Sequence, residues 1–539
     1  LHVKFKYYSV LLLAPCFRGV FFYMINNNID TILVHYLAAR AALRRFCYLC
    51  AAKTNSIMVN TVYETVVGLE VHVQLATNSK AFCADDASFG GEPNTQVSAV
   101  SLGHPGTLPK ANRRQIELAA RLGLALGCRI NATNTFDRKN YFYADLPKGY
   151  QITQDKQPIC IGGALSIKLG NTWKSIRIHH IHMEEDAGKS IHTLAPRHSF
   201  IDLNRAGVPL LEIVTEPDLR SGEEVDAFMT AMRQLVRYLE VSDGNMEQGS
   251  LRCDVNISVR EQGSTILNDR CEVKNVNSMK FARQAIDYEV RRQIGLMESG
   301  QKVKQQTLNF DPSTGVTSPL REKEDAHDYR YFPEPDLPPI VLSEAYLSKV
   351  KNELPQLPAA LYETLTTQYQ LSDYDASILV EEKATALFYF DLVQHSPNYK
   401  AAANLVINRI LPWCQEQKTS IAQFPLAGPQ LSALIQLIEE GKVSNTAAYQ
   451  NLFPAMIAKP AQAPLALAES LNLIQTSDGD FLQKIAAEIL TQFPDKVKEY
   501  QKGKKGLIGF FMGELMKRSK GKADPKVATG ILEALLKNN

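Results

Sequence analysis

The sequence lacks any stretch of about 18 uncharged apolar residues, so no membrane-spanning helix is expected. It also lacks a strong charge of either sign. Lys and Arg number 59 against 57 Asp and Glu, a formal net charge of +2, so any nucleic-acid role must rest on local patches. A disulfide framework is missing too. The nine cysteines (16, 47, 50, 83, 128, 160, 253, 271 and 414) are odd in number and irregular in spacing, which points to a reducing compartment and so to a cytoplasmic protein. Cys47 and Cys50 make a single C-x-x-C, and without a second pair it is weak ground for zinc. There is no phosphate loop, no G-x-G-x-x-G dinucleotide fingerprint and no G-x-S-x-G elbow, which argues against a P-loop NTPase, a Rossmann enzyme and a serine hydrolase. No fixed-period repeat or long low-complexity tract is found.

What is present is a globular chain of 539 residues, 45% hydrophobic and 22% charged. That length suggests roughly two to four domains. The first 57 residues differ from the rest. The apolar run Val10 to Ala14 is interrupted by Arg18 and reads either as a targeting segment or as a non-native upstream translation. The second is expected, because Met58 directly precedes an orderly strand pattern.

In that pattern Val67, Leu69, Val71, Val73 and Leu75 share one strand face and Gly68, Glu70, His72 and Gln74 the other. A helix is predicted after Asn112, and another after Ser221, where Ser221 and Glu224 make a capping-box pattern. Strand-like runs occur at 176–183, 211–215, 251–259 and 270–276. The mixture lacks regular βαβ alternation and predicts an α+β unit. Prolines 333, 335, 338 and 339 interrupt it, and helical periodicity dominates after about residue 350. Phe481, Ile485 and Ile489 step by four, as do Leu482, Ala486 and Leu490. The expected organisation is an extension at 1–57, a catalytic unit at 58–350, a helical domain at 351–465 and a helical tail at 466–539.

Acidic and histidine residues crowd the first unit. Glu70 and His72 share a strand face. His179, His180, His182, Glu184, Glu185 and Asp186 follow one another closely, and Asp254 and Glu272 fall in later strands. Carboxylates inside apolar strands are costly unless paired or bound to a cation. Oxygen donors with one imidazole suit a metal–nucleotide site better than structural zinc. The plainer reading, solvated charges or ion pairs, stands beside this for each residue alone. Lys148, Lys189 and Arg205 lie in loop-like, glycine-flanked segments and are candidates for holding phosphate or a substrate carboxylate. Lys502, Lys504, Lys505, Lys517, Arg518, Lys520, Lys522 and Lys526 form a basic patch, readable as a phosphate-backbone contact or a solubilising surface.

Several long segments, in the same order, resemble the B subunits of the heterotrimeric aspartyl/glutamyl-tRNA amidotransferases. They are V-G-L-E-V-H at 67–72, G-H-P-G-T-L-P at 103–109, F-D-R-K-N-Y-F-Y at 136–143 and H-M-E-E-D-A-G-K at 182–189. D-L-N-R-A-G-V-P-L-L-E-I-V at 202–214, G-S-L-R-C-D-V-N at 249–256, D-Y-R-Y-F-P-E-P-D-L at 328–337 and G-F-F-M-G-E-L-M-K at 509–517 follow. The likeness runs from about Tyr63 to the C-terminus. It implies a glutamine-synthetase-like cradle domain with a mixed or antiparallel sheet, then an all-α domain and a small α-helical tail. It implies an ATP-dependent ligase, EC 6.3.5.-, that converts Glu-tRNA(Gln) or Asp-tRNA(Asn) into Gln-tRNA or Asn-tRNA. The partners implied are misacylated tRNA, an amidase-type glutaminase A subunit and a small C subunit.

By the matching motifs, Glu70, His72, Glu185, Asp254 and Glu272 are expected at the Mg²⁺ and ATP site. Glu184, Lys189 and Arg205 are nearby candidates. Lys148 is expected to face the substrate or the ammonia path. Some relatives bind zinc through four cysteines near the segment matching 83–102. Here only Cys83 remains, so no zinc is expected. Ala144 stands where proline is common, which leaves that loop less constrained.

Two other classes are weighed. A ligase for a small carboxylate would not need the basic helical tail. A non-catalytic tRNA-binding subunit would not need the acidic set.

Overall fold

The computed structural model describes residues 62–538 apart from 196, 275, 277, 323–328, 476–478 and 520–522. The expected extension at 1–57, the C-x-x-C, and Lys520 and Lys522 of the basic patch lie outside the described residues. Among the described residues the chain divides into a small unit, 62–64 with Arg260–Ile266, and a large unit comprising Thr65–Val259 and the residues from Leu267 onward. In the small unit Arg260 Nε donates to Glu64 Oε2 at 2.6 Å, and the Gln262 amide donates to the Val62 carbonyl at 2.8 Å.

The α+β expectation holds. The strands are β1 (Tyr63–Gln74), β2 (Arg129–Ile130), β3 (Thr133–Asn134), β4 (Asp137–Asn140), β5 (Tyr150–Thr153), β6 (Cys160–Ile161), β7 (Ala164–Leu169), β8 (Thr172–Glu185) and β9 (Lys189–Ala195). They continue with β10 (His198–Asp202), β11 (Pro209–Thr215), β12 (Leu251–Glu261), β13 (Cys271–Lys274), β14 (Gln306–Asp311), β15 (Val316–Glu322), β16 (Phe332–Pro333) and β17 (Ile340–Val341). Ten form one sheet in the order β15-β14-β13-β12-β1-β11-β8-β6-β2, with β7 beside β8. The sheet is mixed. β13 runs parallel to β14, whereas β1 is antiparallel to β11, β11 to β8, β12 to β13 and β14 to β15.

Period-two alternation decides which face is dry. Val67, Leu69, Val71 and Val73 of β1 are buried, as are Leu211 and Ile213 of β11, Ile181 and Met183 of β8, and Val255 and Val273 of β12 and β13. They share one apolar core with helices α1 (Arg113–Ala125), α2 (Gly222–Tyr238) and α3 (Met279–Glu298). Asn112, Ser221 and Ser278 cap these helices, each side chain accepting a first-turn amide. The predicted capping box at Ser221 forms only half. Glu224 accepts instead from the Arg220 amide at 2.6 Å, and Lys174 Nζ of β8 holds it at 2.7 Å.

Glu289 of α3 is fully buried. It accepts from Arg292, Gln293 and Thr317 at 2.6–3.0 Å, tying the helix to β15. Glu289→Ala would strand Arg292 and Gln293 and is expected to cost about 3 kcal/mol. Chemical denaturation of the variant, read by circular dichroism, checks this.

Beyond β17 the described residues are helical. A second core gathers Leu361 to Ala468 together with Tyr238, whose hydroxyl donates to the Val380 carbonyl at 2.7 Å. A third gathers Leu482 to Leu536. In the helix Gly479–Gln492 the Leu482, Ala486 and Leu490 row faces that core along with Ile489, while Phe481 is exposed. Ile485 packs against the core as well, so both predicted rows face it apart from Phe481. No helix among the described residues is long and apolar enough to cross a membrane.

Candidate active site

The face of the sheet opposite the helices is polar across five neighbouring strands. In order these are β13, β12, β1, β11 and β8. Register sets the side chains side by side. His72 pairs with Glu212, Glu212 with His182, Glu70 with Val214, and Asn256 with Glu272. Directly opposed residues in an antiparallel pair hold their Cβ atoms about 5 Å apart. Five short polar rows therefore become one site.

Two groups of potential ligands result. His72, Glu184 and Glu212 place ligand atoms within 4.8 Å of one another, and so do Glu70, Asp254 and Glu272. They meet at β1, which contributes Glu70 to one and His72 to the other. In the first group His72 Nε2 lies 3.2 Å from Glu212 and 3.7 Å from Glu184. His182 Nε2 lies 3.5 Å from Glu184 and 3.6 Å from Glu212. Burial favours neutral His72, but the hydrogen bond and charge of Glu212 and the charge of Glu184 win and raise it to about 8. Burial pushes Glu212 up, yet His72, His182 and Lys139 outweigh it and hold the carboxylate ionised. In the second group burial, Glu212 and Glu272 push Glu70 up. The Asn256 amide donates to Glu70 at 3.0 Å, and the Thr307 hydroxyl to Glu272 at 3.0 Å.

Glu185 points elsewhere. It follows Glu184 on β8, so alternation turns its side chain to the other face. There it pairs with Lys148 and accepts from the Ile152 amide at 2.9 Å. The resemblance grouped Glu185 with the metal ligands, whereas the structure brings it together with Lys148. Both line a recess with Ser101, His104, Thr107 and Tyr150. The Lys148 ammonium lies 5.7 Å from the Phe82 ring centre and 5.5 Å from that of Tyr150. Gly103 lets this loop close. Its φ is +67°, and a Cβ there would sit 2.9 Å from Lys148 Cγ.

Arg205 and Lys189 are in neither group. Arg205 donates from Nε to the Ala187 carbonyl at 2.9 Å and from Nη2 to the Gly188 carbonyl at 2.6 Å. Lys189 is exposed at the start of the β9–β10 hairpin. Gly188 between them admits no side chain, since a Cβ would meet the Asp202 carbonyl at 2.8 Å and that of Asp145 at 3.0 Å. Asp186 is buried against Arg252, at 2.8 Å, and the Gln74 amide, at 2.7 Å. Burial pushes its carboxyl up, but Arg252, Arg205 and Gln74 outweigh this and hold it below the usual range.

Sequence reasoning did not single out Glu212, Lys139 or Lys274 as site residues. The signal for Glu212 was one carboxylate in the apolar run Leu210–Val214. Lys139 lies 4.9 Å from the Tyr329 ring centre and 6.0 Å from that of Tyr141. Burial favours its neutral amine, but Glu184, Tyr331 and Glu212 keep it charged. Lys274 bridges Asp254 and Glu272 at 2.7 and 2.9 Å.

Residues 65–348 match the family described as the GatB/GatE catalytic domain, and residues 388–536 match that of the GatB domain. The chain is 46% identical over 475 residues to the B subunit of the aspartyl/glutamyl-tRNA(Asn/Gln) amidotransferase of Thermodesulfovibrio yellowstonii, covering 88% of this chain and 99% of that one. It is 44% identical over 476 residues to the protein of that name from Persephonella marina (88% and 100%). To the one from Geotalea uraniireducens it is 47% identical over 473 residues (87% and 98%).

Proposed function

Given that this chain belongs to the GatB/GatE family, as a B subunit of tRNA-dependent amidotransferases, we propose that it phosphorylates and then amidates the side-chain carboxylate of Glu-tRNA(Gln) or Asp-tRNA(Asn). The observation that carries this reading is the pair of ligand groups meeting on β1. A carboxylate is a poor electrophile, and activating it with a phosphoryl group gathers negative charge that must be offset.

The residues fit a divalent metal. The second group is all oxygen, the donor type Mg²⁺ takes, and Lys274 already stands in it as a cation. The first group combines two carboxylates with an imidazole. Glu70, Asp254 and Glu272 would hold one ion, and His72, Glu184 and Glu212 another. Bound Mg²⁺ would neutralise charge on phosphate oxygens.

The substrate carboxylate oxygen bonds to the terminal phosphorus of ATP, and ADP leaves. Ammonia then forms the C–N bond, phosphate leaves with its electron pair, and the nitrogen gives up a proton. Lys148 and Glu185 line a polar recess suited to carrying ammonia, with the Glu185 carboxylate as the acceptor of that proton. The chain shows no G-x-S-x-G nucleophile, so ammonia is assigned to an amidase-type A subunit, with a small C subunit completing the assembly. The exposed Lys502, Lys504, Lys505, Lys517 and Lys526 offer the tail a contact to the tRNA backbone.

Co-expression with those partners, followed by incubation with ATP, Mg²⁺, glutamine and each misacylated tRNA, is expected to yield Gln-tRNA or Asn-tRNA. An assembled complex that hydrolyses glutamine but forms neither product would remove the proposal.

A further inference from the structure

Lys274 sits in the middle of a metal-ligand group, which is an unusual place for a cation. It follows Glu272 by two residues on β13, so the two side chains share a face. Val255 pairs with Val273, and one step further along this register Asp254 stands opposite Lys274. Its ammonium takes a carboxylate oxygen from each neighbour, at 2.7 Å from Asp254 and 2.9 Å from Glu272. Asn256 and Thr307 hold other oxygens of the set, those of Glu70 and Glu272. The carboxylates are therefore gathered with Lys274 as the cation among them.

We propose that Lys274 is an internal counter-ion, which keeps the Glu70–Asp254–Glu272 group assembled and gives way when a divalent cation binds with nucleotide, turning its ammonium to the phosphates. This rests on the metal–nucleotide reading above. A Mg²⁺ ion contacts its oxygens at about 2.0–2.1 Å, so it would compete with Lys274 for the oxygens of the same carboxylates. Two cations sharing those oxygens would repel strongly. The Lys274 side chain is 37% exposed and has a flexible stem, so it has somewhere to turn. The triphosphate would supply the anion that receives it. Apposed carboxylates would otherwise repel one another while no metal is bound.

A purely structural ion pair makes the opposite prediction about cation binding. Losing it would loosen the carboxylates and weaken the metal site. Losing a competing counter-ion strengthens it. The test is titration of the full chain with Mn²⁺, followed by electron paramagnetic resonance of the free ion, first without nucleotide and then with a non-hydrolysable ATP analogue. Lys274→Met and Lys274→Gln are each expected to tighten one Mn²⁺ site about tenfold without nucleotide, whereas Lys274→Arg keeps wild-type affinity. Glu212→Gln identifies the other site, which none of the Lys274 variants should change. Both neutral variants are also expected to bind the analogue more weakly. Unchanged or weakened Mn²⁺ binding in a folded neutral variant overturns the counter-ion role and leaves the metal–nucleotide reading standing. No Mn²⁺ binding in any form, wild type included, overturns both.

Discussion

Glu212→Gln is expected to lower amidation of misacylated tRNA by about 10³-fold, equivalent to about 4 kcal/mol of transition-state stabilisation. Glu212 stands at the centre of the first ligand group, 3.2 Å from His72 and 3.6 Å from His182, and pairs with both across neighbouring strands. The amide keeps the shape but removes the charge that raises His72 and that would hold a cation. The strand itself should survive, because Leu211 and Ile213 on its other face carry the packing. The measurement is single-turnover conversion of labelled Glu-tRNA(Gln) or Asp-tRNA(Asn), with the thermal midpoint as control. Retention of more than a tenth of the activity in a folded variant would place the chemistry away from this group.

The second large effect divides the two half-reactions. Lys148→Met is expected to lower amide formation by about 10²-fold, the scale of an impaired proton acceptor once the ammonium that orients Glu185 is gone, while ADP release that depends on misacylated tRNA stays near wild type. The reason is placement. Lys148 pairs with Glu185 in the recess, behind the face that carries the ligand groups. Glu185 keeps the Ile152 amide when the lysine is gone, so the recess should hold its form. Parallel loss of ADP release would mean that Lys148 acts on the phosphoryl step instead. Assays with added ammonium salt in place of glutamine separate a defect in this chain from one in the glutaminase.

The contrast between Glu184 and Glu185 shows where sequence reading stops. Both lie in one motif and either is a plausible metal ligand by type. Alternation along β8 sends one to His72 and the other to Lys148, and a single residue of register decides it. Glu70 with His72 was legible, because two residues apart on one strand means one face. Asp254 and Glu272 with Glu70 were legible only by resemblance. Their grouping depends on β12 and β13 lying next to β1, and no local pattern encodes strand order. Arg205 is an anion-holding candidate by its type and loop, and the structure adds that Nε and Nη2 each donate to the turn at Ala187 and Gly188.

Local sequence by itself determined the α+β unit followed by helices, the dry and polar faces of β1, and the helix starts at Asn112 and Ser221. Each depends on residues within a turn or two of one another, where periodicity and capping act. Ordered motifs determined the family. Only the tertiary structure decided that Glu212 joins His72 and Glu184, that Glu185 leaves them for Lys148, and that Lys274 sits among three carboxylates. Those contacts join strands far apart in the chain, and they follow from pairing order and register, which are settled when the whole sheet closes over its core.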